Sequence, residues 1–269
     1  MTAPKFKKFI TGLLLTCSAF ILVVFTIYSM AWYTFTKRAE IYLDALWSDK
    51  ADFTISGECP RLRGYPFVPT STFSGEVEHL ASGTKIVTPQ LIFSGFPAPQ
   101  QTLTLNAPQG IRIASNFLER ELNFDYAYLQ FKSPTLPASN SYEDISAWQK
   151  KGRTFIIEQI ILKSGKIYAR GEGTLSLDDN LQLSGNITAR VVGMDVLFDD
   201  LAAEKGERTI AIARNFFNMM SQVDEKTGEK YFETSLKIQN RGLYFGPMRI
   251  SGLPEIKWKQ AQPQALPAQ

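Results

Sequence analysis

Residues 181–191, LQLSGNITARV, alternate between apolar and polar side chains. The apolar set is Leu181, Leu183, Ile187, Ala189 and Val191, and the polar set is Gln182, Ser184, Asn186, Thr188 and Arg190. Because successive side chains of a strand point to opposite faces of its sheet, this pattern predicts a strand with one buried face and one wet face. Half-buried strands of this kind are typical of antiparallel sheets.

The same alternation recurs and predicts a body built mainly of antiparallel strands. It is present in QTLTLNA (101–107) and in YFETSLKIQ (231–239). Hairpin turns are expected at Ser164-Gly165, at 178–180 and at 240–242, and we expect about ten strands in all. Ser-Gly occurs seven times. Glycine inside a strand marks a bulge or a bend, so we expect a strongly curved sheet.

A run without charged residues, 9–36, precedes this body. Its 28 residues exceed the roughly 20 that cross a bilayer as a helix. Basic residues come before the run and aromatic residues lie near its far end, as is usual in membrane anchors: Lys5, Lys7, Lys8, Tyr28, Trp32 and Tyr33. We therefore expect a single span in the inner membrane, with the body in the periplasm. Cleavage after Ala31 and a lipoprotein box at Leu14–Cys17 remain as alternatives.

The expected organisation follows from this segment. Residues 1–36 form the cytoplasmic tail and transmembrane anchor, and 37–258 form an extracytoplasmic β-rich domain with possible sub-lobes 53–132 and 154–258. Residues 259–269, a polar stretch rich in Pro and Gln, form a disordered tail. The fold class is thus α+β, with helices packed on the sheet.

Beyond the anchor, helices are predicted at four places. Residues 37–53 form a short helix that leaves the membrane, and 141–152 form a second helix, which Ser141 caps and Gly152 ends. Met194–Lys205 and Glu207–Val223 follow, with Val196, Leu197 and Leu201 on the apolar side of the first of these. The apolar stripe of the last helix is expected to pack on the sheet and consists of Ile210, Ala213, Phe216, Phe217 and Met220.

Charge and motifs exclude several classes of function. Lys5, Lys7 and Lys8 are three of the 29 basic residues, so 26 basic residues remain on 37–269. They equal the 26 acidic residues in number, and a neutral body does not favour the binding of nucleic acid. His79 is the one histidine, and Cys59 is the one cysteine outside the anchor, so no metal site or catalytic triad is predicted. No P-loop or dinucleotide motif is present. We expect no cofactor, no catalytic residues and no enzymatic activity.

The stretch YFGPMRISGLPEIKW, residues 244–258, carries the clearest family signal. Together with GYPF at Gly64–Phe67 and the block Gly171–Glu204, it resembles an uncharacterised family of anchored bacterial envelope proteins, domain of unknown function two-one-two-five. Val68 departs from that pattern, which has a basic residue there. The resemblance implies an envelope location and a β-rich fold, and it supplies no catalytic residues.

Two non-catalytic functions follow as hypotheses, and a cryptic envelope hydrolase ranks below them. In the first, the apolar sheet face binds a lipid or another hydrophobic ligand, provided that helices 194–223 leave that face open. In the second, the protein is an assembly factor whose edges contact an envelope partner. The candidate edge residues are Gly64, Tyr65, Pro66, Phe67, Gly246 and Pro247. Leu243–Ile250 is expected to form one strand interrupted at Gly246-Pro247, so we favour structural closure over a binding site there.

Overall fold

The computed structural model describes residues 21–34, 36–37, 40, 53–58, 60–80, 82–96, 100–116, 121–137, 141–205, 207–245, 248–253, 255–256 and 258. The strands are β1 (Phe53–Gly57), β2 (Leu62–Arg63), β3 (Thr70–His79), β4 (Thr84–Ser94), β5 (Thr102–Ala107), β6 (Ile111–Ala114), β7 (Leu122–Phe124), β8 (Tyr126–Lys132), β9 (Phe155–Ser164), β10 (Ile167–Leu177), β11 (Leu183–Val192), β12 (Gln222–Val223), β13 (Lys230–Gln239), β14 (Gly242–Phe245) and β15 (Met248–Gly252). The helices are α1 (21–34), α2 (Tyr142–Lys150), α3 (Met194–Lys205) and α4 (Glu207–Met220). Within these ranges no helix combines the length and the apolar character that a membrane crossing requires.

All fifteen strands of the described residues belong to one sheet. Its order is β1-β3-β4-β5-β8-β9-β10-β11-β13-β14-β15, and the short strands β2, β6, β7 and β12 attach beside this path. The pairings are antiparallel. Of the expected fold class, the mainly antiparallel β-rich body with few helices is confirmed. The number of strands exceeds the predicted ten because several strands of two to four residues are too short to show alternation.

The pairing of β8 with β9 joins the two halves that the sequence suggested as sub-lobes. It runs from Tyr126↔Lys163 to Lys132↔Ile156, so 53–132 and 154–258 share one continuous sheet. Contacts therefore pass from one half to the other through a full-length strand pair and not through a linker.

Bulges curve the sheet, as the glycine pattern predicted. The register shifts between Phe73 and Gly75 in the β3–β4 pair and between Gly171 and Gly173 in the β9–β10 pair. A third shift lies between Gln130 and Phe131 of β8. Each bulge adds a residue to one strand, which bends the strand and increases its twist.

The register collects the apolar side chains on one face of the sheet. Leu105 pairs with Leu129, Phe155 with Leu175, and Val191 with Phe232. Much of this face is only half-buried, including Leu105, Leu129, Phe131, Ile160, Leu162, Leu175, Leu177, Leu183, Ile187, Val191, Leu236 and Ile238. The opposite face carries exposed polar residues such as Glu172, Thr188 and Ser235. A sheet face under a complete second layer would be fully buried, so the helices cover this face only in part.

Helices α3 and α4 pack at one place on this face. Phe198, Ile210, Phe217 and Phe232 form a buried cluster, with the rings of Phe217 and Phe232 5.5 Å apart. The predicted packing of Ile210 and Phe217 on the sheet is confirmed. Met220 is 52% exposed and does not join them, because α4 ends there and Gln222–Val223 pair with β13. In α3 Phe198 is buried, although the predicted apolar side had left it out.

The prediction of one interrupted strand at Leu243–Ile250 is wrong. The chain forms two strands, β14 and β15, which pair antiparallel with Phe245 opposite Met248. A Gly-Pro pair suits the connection of a tight hairpin as well as an interruption within a strand, and the sequence pattern did not separate the two. Gly246 and Pro247 lie outside the described residues, as do Cys17, Cys59, the tail 259–269 and nearly all of the predicted helix at 37–53.

Candidate functional site

An apolar cavity of about 430 Å³ lies on the half-buried face of the sheet. Strands β5, β8, β9, β10 and β11 form its floor, and α2 forms one wall. Its lining consists of Leu105, Leu129, Phe131, Pro137, Ile145, Trp148, Phe155, Ile157, Leu175, Ser176, Leu177, Leu183 and Trp258. Ser176 is the one polar residue of this lining, so the cavity suits a hydrocarbon and not a polar ligand.

The wall formed by α2 is held in place by its cap and by one tryptophan. The Ser141 side chain accepts a hydrogen bond from the Asp144 amide at 3.3 Å, which starts the helix as predicted. Trp148 is buried, and its indole nitrogen donates to the Thr135 carbonyl at 2.6 Å. Its ring lies 6.0 Å from that of Phe155 on β9. The amphipathic helix therefore turns Ile145 and Trp148 toward the cavity.

The chain beyond β15 forms the other wall. The Gln182 side chain donates to the Ile256 carbonyl at 3.1 Å and accepts from the Ile256 amide at 2.9 Å. The Trp258 indole donates to the Leu181 carbonyl at 3.0 Å, and its ring lines the cavity. The C-terminal stretch thus packs against the residues just before β11 and contributes to the lining, which the sequence did not indicate.

Titratable pairs lie away from the cavity, on the wet face and its loops. Lys132 and Gln130 donate to Glu158 at 2.6 and 2.9 Å, and these hydrogen bonds lower the pKa of that carboxyl group. Arg190 contacts Asp224 at 2.6 Å and, with the amides of Lys226 and Thr227, lowers the pKa of Asp224 to about 2. The described residues contain no group of three potential metal ligands. These pairs stabilise loops and strands, and they do not line the cavity.

The predicted edge residues Gly64–Phe67 lie far from this cavity along the strand order, beside α1. They form a turn in which the Phe67 amide donates to the Gly64 carbonyl at 2.7 Å. The Tyr65 ring contacts Phe25, Tyr28 and Trp32 of α1, with centroid distances of 6.1, 6.4 and 5.8 Å. The structure therefore places GYPF against the N-terminal helix.

The sequence predicted the apolar face but not the cavity. Its lining comes from five strands, one helix and Trp258, and their meeting depends on register and on the chain path after β15. The alternation in 101–107 did indicate that Leu105 faces the core. No local signal connects Trp258 with Leu181.

The comparison with known protein families places the chain in a family. Residues 93–254 match the model of a family described as uncharacterized protein conserved in bacteria (DUF2125), and the chain belongs to this family. This confirms the resemblance recognised in the sequence. The match includes nearly all the residues that line the cavity. No curated protein and no solved structure matches the chain.

Proposed function

We propose that this protein is a membrane-anchored periplasmic protein that holds a hydrophobic ligand, the acyl chain of a lipid, in the cavity between the sheet and α2. The observation that carries the proposal is the apolar lining of that cavity. Its volume of about 430 Å³ lies in the range of ligand sites, roughly 300–1,000 Å³. Burying each methylene of an acyl chain contributes about 0.8 kcal/mol, so hydrocarbon alone gives useful affinity.

The anchor is part of the same proposal. The uncharged run 9–36 supports a helix through the inner membrane, and residues 21–34 are helical. Its exposed side chains are largely apolar and include Ile21, Leu22, Val24, Phe25, Ile27 and Met30. A tether of this kind keeps the cavity near a source of lipid. No catalytic role is part of the proposal.

A photo-crosslinking experiment tests the ligand. The full-length chain in lipid vesicles is loaded with a fatty acid that carries a diazirine on its alkyl chain, irradiated and digested. We expect crosslinks in peptides from β8, β9 and β10. Leu175→Trp fills the cavity from its floor and should abolish them.

Ile156→Trp is the matched control. Ile156 pairs with Thr174, next to Leu175, and is 42% exposed on the opposite face. This variant should crosslink as well as the unmodified chain. Crosslinks confined to α1, or equal in both variants, would rule out the cavity as the binding site.

A further inference from the structure

The turn at Gly64–Phe67 lies alongside α1 and not beyond its end. The Tyr65 ring contacts side chains from Phe25 to Trp32, two turns of the helix. The Tyr28 hydroxyl donates to the Pro66 carbonyl at 2.5 Å, which places the tip of the turn level with Tyr28. The rings of Trp32 and Phe96, 5.8 Å apart, join α1 to the body a turn further on.

The position of Tyr28 gives the depth of this turn if α1 spans the bilayer. A hydrocarbon core of about 30 Å takes roughly 20 residues, and centring it on 9–36 places it at about 13–32. Tyr28 lies four residues inside the far boundary, a depth of roughly 6 Å at 1.5 Å per residue. The tip of the turn therefore lies within the outer leaflet of the inner membrane.

Several polar groups of the turn have partners within the protein, as such a depth requires. Irregular backbone is tolerated in hydrocarbon only where the protein satisfies its polar groups. The Phe67 amide bonds to the Gly64 carbonyl, and Pro66 has no amide hydrogen to satisfy. Hydroxyl groups of α1 bond to two further polar groups of the turn: Tyr28 donates to the Pro66 carbonyl, and Ser29 lies 2.5 Å from the Tyr65 hydroxyl.

The outer surface of the turn has the character of a membrane contact. Phe67 is 77% exposed and Val68 is 51% exposed, although both are large apolar residues. Arg61 and Arg63, both exposed, immediately precede the turn, where the phosphates of lipid head groups would lie. The apolar side chains of the turn continue the surface of α1, and the basic side chains are next to them in the sequence. This arrangement matches a lipid leaflet, in which the hydrocarbon layer borders on charged head groups.

We propose that the Gly64–Val68 turn inserts into the outer leaflet beside α1, with Phe67 as a second membrane contact. This inference rests on the proposed membrane anchor. It adds that the body is held against the bilayer at two points, one of them a loop. A single helix allows the body to swing, whereas a second contact fixes the β2–β3 end of the sheet at the membrane surface.

Depth-dependent fluorescence quenching tests this insertion in the full-length chain. In a background with Cys17→Ser and Cys59→Ser, single cysteines at Phe67, Met30 and Glu225 carry an NBD label, and the protein is reconstituted in phosphatidylcholine vesicles with spin-labelled lipid. We expect strong quenching at 67, comparable to that at 30 in α1, and none at 225, an exposed loop residue. Circular dichroism checks that each variant is folded, and Val68→Cys provides a second reporter in the turn.

Removing the two α1 hydroxyl groups that bond to the turn gives an independent measurement. Tyr28→Phe with Ser29→Ala leaves the turn's polar groups without their partners in α1, so quenching at 67 should fall severalfold. Thr26→Ala is the matched control, because the Thr26 hydroxyl bonds to Leu22 within α1 and does not reach the turn. Quenching at 30 but not at 67 would overturn the insertion and leave the anchor standing. Absence of quenching at 30 would overturn both.

Discussion

Gly173 in β10 occupies a position with no room for a larger side chain. A Cβ atom there would lie 2.2 Å from the Asn186 carbonyl oxygen and 2.7 Å from the Ile187 Cα, both backbone atoms of β11. Gly173→Ala must therefore separate the two strands, and we expect the free energy of unfolding to fall by about 1–3 kcal/mol. Urea denaturation measures the change.

Gly252→Ala is the control for this substitution. Among the described residues, its Cβ would meet the far end of the Arg249 side chain, 3.4 Å away, which can move aside. The control should unfold almost as the unmodified chain does. Equal losses in the two variants would show that the close approach of β11 to Gly173 is not the cause.

Asp224 gives a pH dependence of stability. Arg190 and two backbone amides lower its pKa from 3.8 to about 2, so the folded state favours the charged carboxylate. A lowered carboxyl pKa contributes stability above the unfolded-state pKa, and that contribution is lost as pH falls from about 4 to 2. Asp224→Asn should lower the melting temperature at pH 7, and the difference from the unmodified chain should shrink across this window. A difference that stays constant from pH 7 to pH 2 would contradict this explanation.

At the scale of elements, the buried Gln182 side chain helps to hold the segment 255–258. Gln182 makes both hydrogen bonds to the Ile256 backbone, and each such bond contributes about 0.5–1.5 kcal/mol. Gln182→Ala should therefore let the segment open more often, with roughly ten- to hundredfold faster hydrogen exchange at the Ile256 amide. Mass spectrometry of the C-terminal peptide measures this rate.

Gln109→Ala controls for the loss of a glutamine. Gln109 lies in the turn between β5 and β6 and donates a hydrogen bond to the Gln90 side chain at 3.3 Å, so its removal leaves both hydrogen bonds to Ile256 in place. Exchange at Ile256 should not change in this variant. Unchanged exchange in Gln182→Ala would mean that other contacts hold the segment.

Elements with a clear period could be predicted from the sequence, and elements without one could not. β5, β11, β13 and α2 each carry their own alternation, cap or stripe, and the structure places them within a few residues of expectation. Leu181 is an instructive exception: it continues the alternation of 181–191 but lies in the turn with a positive φ of 56°. Its carbonyl accepts a hydrogen bond from the Trp258 indole, a long-range contact that local pattern does not encode.

At the scale of the molecule, the sheet joins two halves, 53–132 and 154–258, that the sequence suggested as possible sub-lobes. Strict alternation indicates which face of each strand is buried, but not which strands are neighbours or what covers them. The cavity depends on which strands are neighbours and on what covers them. Leu105, Leu129 and Phe131 come from one half, and Phe155, Leu175 and Leu183 come from the other.

A ligand in this cavity should therefore stabilise both halves together. Binding to the folded state adds RT ln(1 + [L]/Kd), about 2.7 kcal/mol at a hundredfold excess over Kd. With a saturating fatty acid, we expect slower hydrogen exchange in β5 and β8 and in β9–β11 alike, because the acyl chain contacts strands on both sides of the β8–β9 pair. β1 lies at the far end of the strand order and contributes nothing to the lining, so its exchange should not change. Leu175→Trp should remove the effect in both halves, and protection limited to one half would contradict a shared cavity.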